Sequence, residues 1–269
     1  QYPYPPSGSD GNTVLIPRWA LQDEEAQSRE DMRPPGDVLE AHLNDPEAAA
    51  AIRRDITHEI RRRGGAERVV VFEYPDESLV GLSVAEIAER WDLDAVDAAI
   101  QLQLRGDRAR RGGGRLRGFS MSEDDVETYG ALPWVATASD GGLAHPDDRG
   151  SVHPRFYGTF PRKIAHYARD RGVLTVEDAV RSMTSLPAVL MGFADRGSIR
   201  EGYRADVVVF DLDELEDRTT FFEPHAYPSG IEHVLVNGEA VVENGELTWA
   251  LPGTVLTRGR AIPASEPDA

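Results

Sequence analysis

Short apolar runs that alternate with amphipathic helical patterns are the feature of this sequence that most constrains its fold. The runs "RVVVF" at residues 68–72 and "WVATAS" at residues 134–139 have the length of buried strands. Apolar residues then recur three and four positions apart in residues 83–105, 160–172 and 175–192, as they do along one face of a helix. A strand–helix alternation at this spacing predicts right-handed βαβ units and a parallel sheet, hence an α/β protein.

From about residue 197 the pattern changes to short strands separated by Gly and Asn-Gly turns. We therefore predict two domains, residues 1–196 and a small antiparallel β-module at residues 197–269. The polar stretch at about residues 21–65 is expected to be a peripheral or inserted helical segment, in which residues 45–63 have the apolar spacing of an exposed amphipathic helix. Ser83 and Glu86 are expected to form a capping box at the start of the next helical pattern. The basic, glycine-rich stretch "RARRGGGRLRG", residues 108–118, is expected to be a flexible surface loop, because it lacks the spacing of a phosphate-binding loop.

Composition excludes several functional classes. The chain has 269 residues, 40% of them hydrophobic, which is enough for a core, and it has no run of about 18 apolar residues and no leader. We therefore expect a cytoplasmic protein with no membrane partner. A formal net charge of -18 argues against binding to nucleic acid. Because there is no cysteine, a metal ion would have to be bound by histidines and carboxylates.

The tetrapeptide "SDGG", residues 139–142, places Asp140 where a predicted strand ends and a glycine-rich loop begins. Active sites of parallel α/β folds lie at that end of the strands, but an aspartate can equally hold the turn itself. The long loop that follows also carries His145, His153 and Arg155. An arginine there suits either a substrate carboxylate or a structural salt bridge, and the two histidines are more typical of ordinary residues than of metal ligands.

Seven motifs occur in one order along the chain: "YPY", "SMSEDDV", "ASDGG", "HPRFYGTFPR", "LTVEDAVRSMTSLPAVLMG", "ADVVVFD" and "IEHVLVNGEAV". In this order they resemble the C-terminal half of the N-acyl-D-amino-acid deacylases (D-aminoacylases) of the amidohydrolase superfamily. The resemblance covers nearly the whole chain. The motif "HPR" with the later "GTFPR" and the upstream "SDG" is the part that is most specific to this group.

The resemblance implies a metal-dependent (β/α)₈ barrel with a small β-sandwich, of which this chain would hold the C-terminal part of the barrel and part of the sandwich. The zinc ligands of the family precede the segment that corresponds to "YPY". The chain also begins at Gln1 rather than at a methionine. We therefore expect a C-terminal fragment that lacks the N-terminal half of the enzyme and most of the metal ligands, and that is inactive in isolation.

The resemblance also implies roles for individual residues. Asp140 matches the catalytic aspartate, which takes a proton from the attacking water and is a candidate metal ligand. Arg155 matches the residue that binds the α-carboxylate of a small N-acyl-D-amino acid. The carboxylate pocket would be completed by Tyr2 or Tyr4 together with Ser7 or Ser9.

Two alternatives remain open from the sequence. The protein could be another amidohydrolase, such as a cyclic-amide hydrolase or a different deacetylase, and Arg155 distinguishes these because only an α-carboxylate requires its planar fork. It could also be a non-catalytic remnant or interaction module that is stable only with a partner chain.

Overall fold

The computed structural model describes residues 14–23, 28, 32–148 and 152–257. Within these residues the chain forms two compact units, and one gives way to the other between Ser122 and Glu123. None of the helices described is both long enough and apolar enough to cross a membrane. The domain boundary near residue 197 stays a prediction from the sequence.

The first unit combines α-helices with a two-stranded sheet. Its elements in chain order are α1 (Pro35–Leu43), α2 (Pro46–Arg62), β1 (Val69–Glu73), α3 (Val84–Trp91), α4 (Ala95–Arg105) and β2 (Arg115–Gly118), with one-turn 3₁₀ helices at Arg18–Leu21, Ala66–Arg68 and Glu77–Leu79. Apolar side chains from α2, β1, α3 and α4 share one core, which includes Ile52, Val71, Ile87 and Leu102. Burial of such side chains is the main source of stability in this unit.

Two local predictions in this unit are confirmed. Helix α2 buries Ile52 and Ile56, four residues apart, and exposes most of its other side chains, as the amphipathic pattern predicts. At the start of α3 the Ser83 hydroxyl accepts a hydrogen bond from the Glu86 N–H at 3.2 Å, and the Glu86 carboxylate accepts one from the Ser83 N–H at 2.8 Å. This capping box is visible in the sequence because it depends on local spacing alone.

The predicted parallel strand at residues 69–72 is wrong in its direction. Strand β1 pairs antiparallel with β2, with Val69 opposite Gly118 and Val71 opposite Leu116. A continuous apolar run shows that a strand is buried, but it carries no information on the direction of its partner.

The prediction of a flexible surface loop at residues 108–118 is also wrong for its second half, which forms β2. The Arg117 side chain is buried and its guanidinium lies 4.9 Å from the centroid of the Phe72 ring, in a cation–π contact. Gly113 has φ +71°, and a Cβ there would lie 1.9 Å from the Leu102 carbonyl oxygen. The glycines therefore serve a tight buried turn and not flexibility.

The second unit contains helices followed by an antiparallel sheet. Its elements are α5 (Glu123–Gly130), a 3₁₀ turn (Pro154–Phe156), α6 (Thr159–Arg162) with a π-helical continuation (Lys163–Asp170), α7 (Val176–Met183), α8 (Ser185–Met191), β3 (Val207–Phe210), β4 (Ile231–Val236), β5 (Glu239–Glu243) and β6 (Glu246–Leu247). The strands pair in the order β3-β4-β5-β6, all antiparallel. This confirms the antiparallel module, whereas the barrel and the β-sandwich stay predictions.

The predicted strand at residues 134–138 is wrong. Its backbone is anchored to the end of α7, because the Thr137 N–H donates to the Ser182 carbonyl at 2.9 Å and the two side-chain oxygens lie 3.0 Å apart. Trp134 is 68% exposed, which a buried strand would not allow. Among the residues that the structure describes, no strands pair in parallel.

Lys163, the single lysine of the chain, gives a test of this unit's stability. Its side chain is buried, its ammonium donates to the Gly130 carbonyl at 2.9 Å, and burial lowers its pKa from 10.5 to about 8. The unfolded state therefore binds more protons than the folded state between these pH values, so stability rises with pH there. We expect the free energy of unfolding to increase by up to about 3 kcal/mol from pH 8 to pH 10.5.

Denaturant unfolding at several pH values measures this increase. The variant Lys163→Met keeps the length of the side chain without its charge, so its stability should lack this contribution. An equal pH dependence in the wild type and in Lys163→Met would contradict the expected pKa.

Candidate active site

Asp140 and Arg155, which the sequence proposes as catalytic base and carboxylate-binding residue, lie in direct contact. Arg155 Nη2 is 3.1 Å from Asp140 Oδ2. The Arg155 side chain is 13% exposed, whereas the Asp140 side chain is 66% exposed, so the carboxylate is open to solvent while the guanidinium is mostly covered. The structure thus brings together the two residues of the proposed site, and their roles in catalysis stay predictions.

The glycines after Asp140 permit this contact. Asp140 itself has φ +48°, in the left-handed region that aspartate tolerates better than most residues. A Cβ on Gly141 would lie 3.0 Å from the Arg155 carbonyl oxygen, and a Cβ on Gly142 would lie 2.9 Å from the Phe156 ring. The "DGG" loop can therefore pack against the Arg155 turn only because these two positions lack side chains.

Arg155 lies in the 3₁₀ turn Pro154–Phe156. His153 caps this turn, with Nδ1 accepting a hydrogen bond from the Arg155 N–H at 3.1 Å. Thr159, in the first turn of α6, donates its hydroxyl to the Arg155 carbonyl at 2.9 Å. Both backbone groups of Arg155 are thus bound by side chains.

The two histidines of the loop have local roles. The His145 N–H donates to the Asp148 carboxylate at 2.7 Å, and His145 Nδ1 accepts from the Asp147 N–H at 3.2 Å. His153 likewise uses its Nδ1 in the cap, where it accepts from the Arg155 N–H. In the described ranges, no three His, Asp or Glu side chains come close enough together to bind a metal ion. Tyr2, Tyr4, Ser7 and Ser9 lie outside the described residues.

An aromatic cluster next to this turn was not predicted from the sequence. The Tyr157 hydroxyl lies 3.1 Å from His225 Nδ1, and the ring of Tyr157 packs edge-to-face with that of Tyr227 at 5.7 Å. Phe221 contacts the His153 ring in the same way at 5.2 Å. The signal that could have indicated it is the density of aromatic residues in "FFEPHAY" at residues 221–227.

The phenols of this aromatic cluster stay protonated near neutral pH. Desolvation raises the pKa of Tyr157, and the neighbouring Tyr227 and Asp148 raise it further. Desolvation also raises the pKa of Tyr227, with added contributions from Asp147 and Asp148. The cluster can therefore donate hydrogen bonds beside Arg155, but it adds no negative charge of its own.

Sequence comparison finds relatives for the part of the chain that carries the candidate site. Residues 131–242, which include Asp140 and Arg155, match the amidohydrolase family model. The chain is 40% identical over 195 residues to the N-acyl-D-glutamate deacylase of Alcaligenes xylosoxydans xylosoxydans and 37% identical over 193 residues to the D-aminoacylase of the same organism. Each match covers 72% of this chain and 37% of the relative, so the chain spans little more than a third of the length of these curated relatives.

Solved structures agree with the sequence comparison. A D-aminoacylase described as having a binuclear metal centre superposes with a TM-score of 0.57 at 37% identity, over 71% of this chain and 38% of that one. The N-acyl-D-glutamate deacylase of Bordetella bronchiseptica was solved in complex with zinc and a phosphonate mimic of the tetrahedral intermediate. It superposes with a TM-score of 0.53 at 32% identity, over 72% of this chain and 42% of that one. Along about seven tenths of its length, this chain is therefore a relative of the N-acyl-D-amino-acid deacylases of the amidohydrolase family.

Proposed function

We propose that this chain is the C-terminal part of a zinc-dependent enzyme that hydrolyses the amide bond of N-acyl-D-amino acids. Asp140 would act as the general base and Arg155 would bind the α-carboxylate of the substrate. The rest of the protein, which this chain would need as a partner, would supply the remaining metal ligands and the first part of the barrel. A cytoplasmic location, proposed from the sequence, completes this proposal.

The contact between Asp140 and Arg155 is the observation that carries the proposal. In an N-acyl amino acid, only the Cα and the amide nitrogen separate the carboxylate carbon from the scissile carbonyl carbon. A carboxylate-binding group and a base for this bond must therefore line the same small site. The 3.1 Å between Arg155 Nη2 and Asp140 Oδ2 meets this requirement.

The environments of the two side chains suit these roles. The exposed Asp140 carboxylate can reach a water molecule, accept its proton as the water attacks the amide carbonyl, and then donate the proton to the leaving amine. The mostly buried Arg155 guanidinium offers a planar pair of N–H donors that matches a carboxylate, with less competition from water than at the surface. Arg155 would then hold the substrate while Asp140 moves the proton.

The described residues satisfy the metal requirement only in part. Asp140 offers one carboxylate, and the described ranges hold no group of three ligands around it. The proposed zinc would thus depend on ligands from the rest of the enzyme. Metal binding itself is supported by the binuclear metal centre and the bound zinc of the related solved structures. When bound, zinc would lower the pKa of a water molecule and polarise the amide carbonyl.

We accordingly expect the isolated chain to bind zinc weakly and to be inactive, because one carboxylate does not supply the three or four ligands that zinc requires. Equilibrium dialysis of the isolated chain measures this. One tightly bound zinc ion per chain would contradict the expectation.

The proposal is tested by expressing the complete protein with zinc and measuring the release of free amine from N-acetyl-D-methionine and from its L enantiomer. Hydrolysis of the D form is the expected result. Activity on cyclic amides but not on N-acetyl-D-methionine would favour another amidohydrolase. Inactivity on all of these substrates and on N-acetyl-D-glutamate, with zinc bound, would favour a non-catalytic module.

A further inference from the structure

The motif "HPRFYGT", residues 153–159, fixes the backbone of Arg155 on both sides. His153 Nδ1 accepts from the Arg155 N–H at 3.1 Å, and Thr159 Oγ1 donates to the Arg155 carbonyl at 2.9 Å. The two side chains that make these bonds are 5% and 1% exposed. We propose that His153 and Thr159 are positioning residues that hold Arg155 where it binds the substrate carboxylate, an inference that rests on the proposed function.

His153 is held from two directions. As the cap of the 3₁₀ turn it replaces the Ser, Thr, Asp or Asn that usually accepts a bond at such a position. Its ring also packs edge-to-face against Phe221 at 5.2 Å, which a smaller cap residue could not do. Pro154, next in the chain, restricts its own φ angle and so stiffens the entry to the turn. The position of the Arg155 N–H is therefore set by a cap that is itself packed in place.

Thr159 bonds to Arg155 although it begins a helix of its own. Helix α6 has no side-chain cap at Gly158, and the Thr159 hydroxyl reaches back four residues to the Arg155 carbonyl. That same carbonyl oxygen is approached by Gly141, where a Cβ would lie 3.0 Å away. The Arg155 carbonyl thus lies between the Thr159 hydroxyl and the loop that carries Asp140.

Fixing the backbone limits the guanidinium to the positions that its own side-chain rotations allow. When the residues that support a site are already held in place, binding a ligand loses less conformational entropy, which is the advantage of preorganisation. Loss of one supporting hydrogen bond should let Arg155 shift and weaken carboxylate binding by about 3- to 30-fold. The effect should fall on recognition of the carboxylate and not on the chemical step.

Matched variants of the complete enzyme test this. Thr159→Val is nearly the same size but has no hydroxyl, and Thr159→Ser keeps the hydroxyl. His153→Phe keeps the ring against Phe221 without the acceptor, and His153→Asn restores an acceptor for the cap. The substrates are N-acetyl-D-methionine and its carboxamide, which lacks the α-carboxylate and is assayed at higher enzyme concentration.

We expect Thr159→Val and His153→Phe to raise KM for the acid about 3- to 30-fold with little change in kcat, and to leave kcat/KM for the carboxamide unchanged. Thr159→Ser should recover most of the loss, and His153→Asn should recover part of it, because it restores the acceptor but not the ring against Phe221. Equal losses on both substrates would indicate a merely structural role and overturn the inference, as would unchanged kinetics on both. A wild-type enzyme inactive on both N-acetyl-D-methionine and N-acetyl-D-glutamate would instead overturn the proposed function, and the inference with it.

Discussion

Replacing Asp140 with asparagine in the complete enzyme should lower kcat by a factor of about 10² to 10⁴, the loss that follows removal of a general base. The carboxamide has nearly the shape of the carboxylate but cannot accept the proton of the attacking water at neutral pH. Steady-state kinetics with N-acetyl-D-methionine, together with the zinc content of the purified variant, measure the effect.

The fold should survive this substitution for two reasons. Asparagine tolerates the left-handed conformation that Asp140 adopts at φ +48°. The ion pair with Arg155 involves a carboxylate that is 66% exposed, and pairs of this kind contribute little stability, on the order of 1 kcal/mol or less. A large fall in activity would then indicate loss of the catalytic base and not unfolding of the protein.

Asp148→Asn is the matched control, because it makes the same change in the same loop. Asp148 accepts a bond from the His145 N–H at 2.7 Å, a role that an amide oxygen can also fill. We expect turnover close to that of the wild type. Near-wild-type turnover of Asp140→Asn would show that Asp140 is a turn residue, the alternative that "SDGG" leaves open.

Features that depend on neighbours in the sequence could be predicted from it. The capping box of Ser83 and Glu86 and the amphipathic face of α2 follow from local spacing, and the structure confirms both. The Asn237-Gly238 turn between β4 and β5 also follows from the local sequence. Both residues have positive φ angles, and the Asn-Gly pair favours such a turn.

Features that depend on residues distant in the chain could not be predicted from the sequence. The direction of β1 is set by its pairing with β2, and Arg117 contacts the Phe72 ring, which is more than 40 residues away in the chain. Residues 134–138 look like a strand, but the position of Thr137 is set by Ser182. An apolar run indicates that a segment can be buried, but it shows neither whether the segment is buried nor which residues cover it.

The candidate site also has features that could be predicted from the sequence and features that could not. Asp140 and Arg155 could be identified as a pair from the order of the motifs, whereas their contact and the bonds from His153 and Thr159 depend on how two loops meet. The glycines in "DGG" are needed because the Arg155 turn lies against them. The sequence around "DGG" does not indicate that the Arg155 turn requires glycines at these positions.

Arg155→Lys should raise KM for N-acetyl-D-methionine by about 10- to 100-fold in the complete enzyme, with a smaller change in kcat. Lysine keeps the positive charge but loses the planar fork that binds both oxygens of a carboxylate, and one hydrogen bond to a charged group accounts for a factor of this size. Because Arg155 also contacts Asp140, the variant can disturb the base as well. The N-acetyl-D-methionine carboxamide separates the two effects, since a loss that acts through Asp140 would appear with both substrates.

The control is Arg162→Lys, the same change at another arginine of "HPRFYGTFPR". The Arg162 guanidinium lies 5.6 Å from the centroid of the Tyr167 ring, on the helix that follows the turn. The Arg162→Lys substitution should change KM little, because Arg162 has no contact with substrate in the proposed site. If Arg155→Lys left KM for N-acetyl-D-methionine unchanged, the α-carboxylate would not be what Arg155 recognises, and a cyclic amide or another neutral substrate would become the better proposal for this family member.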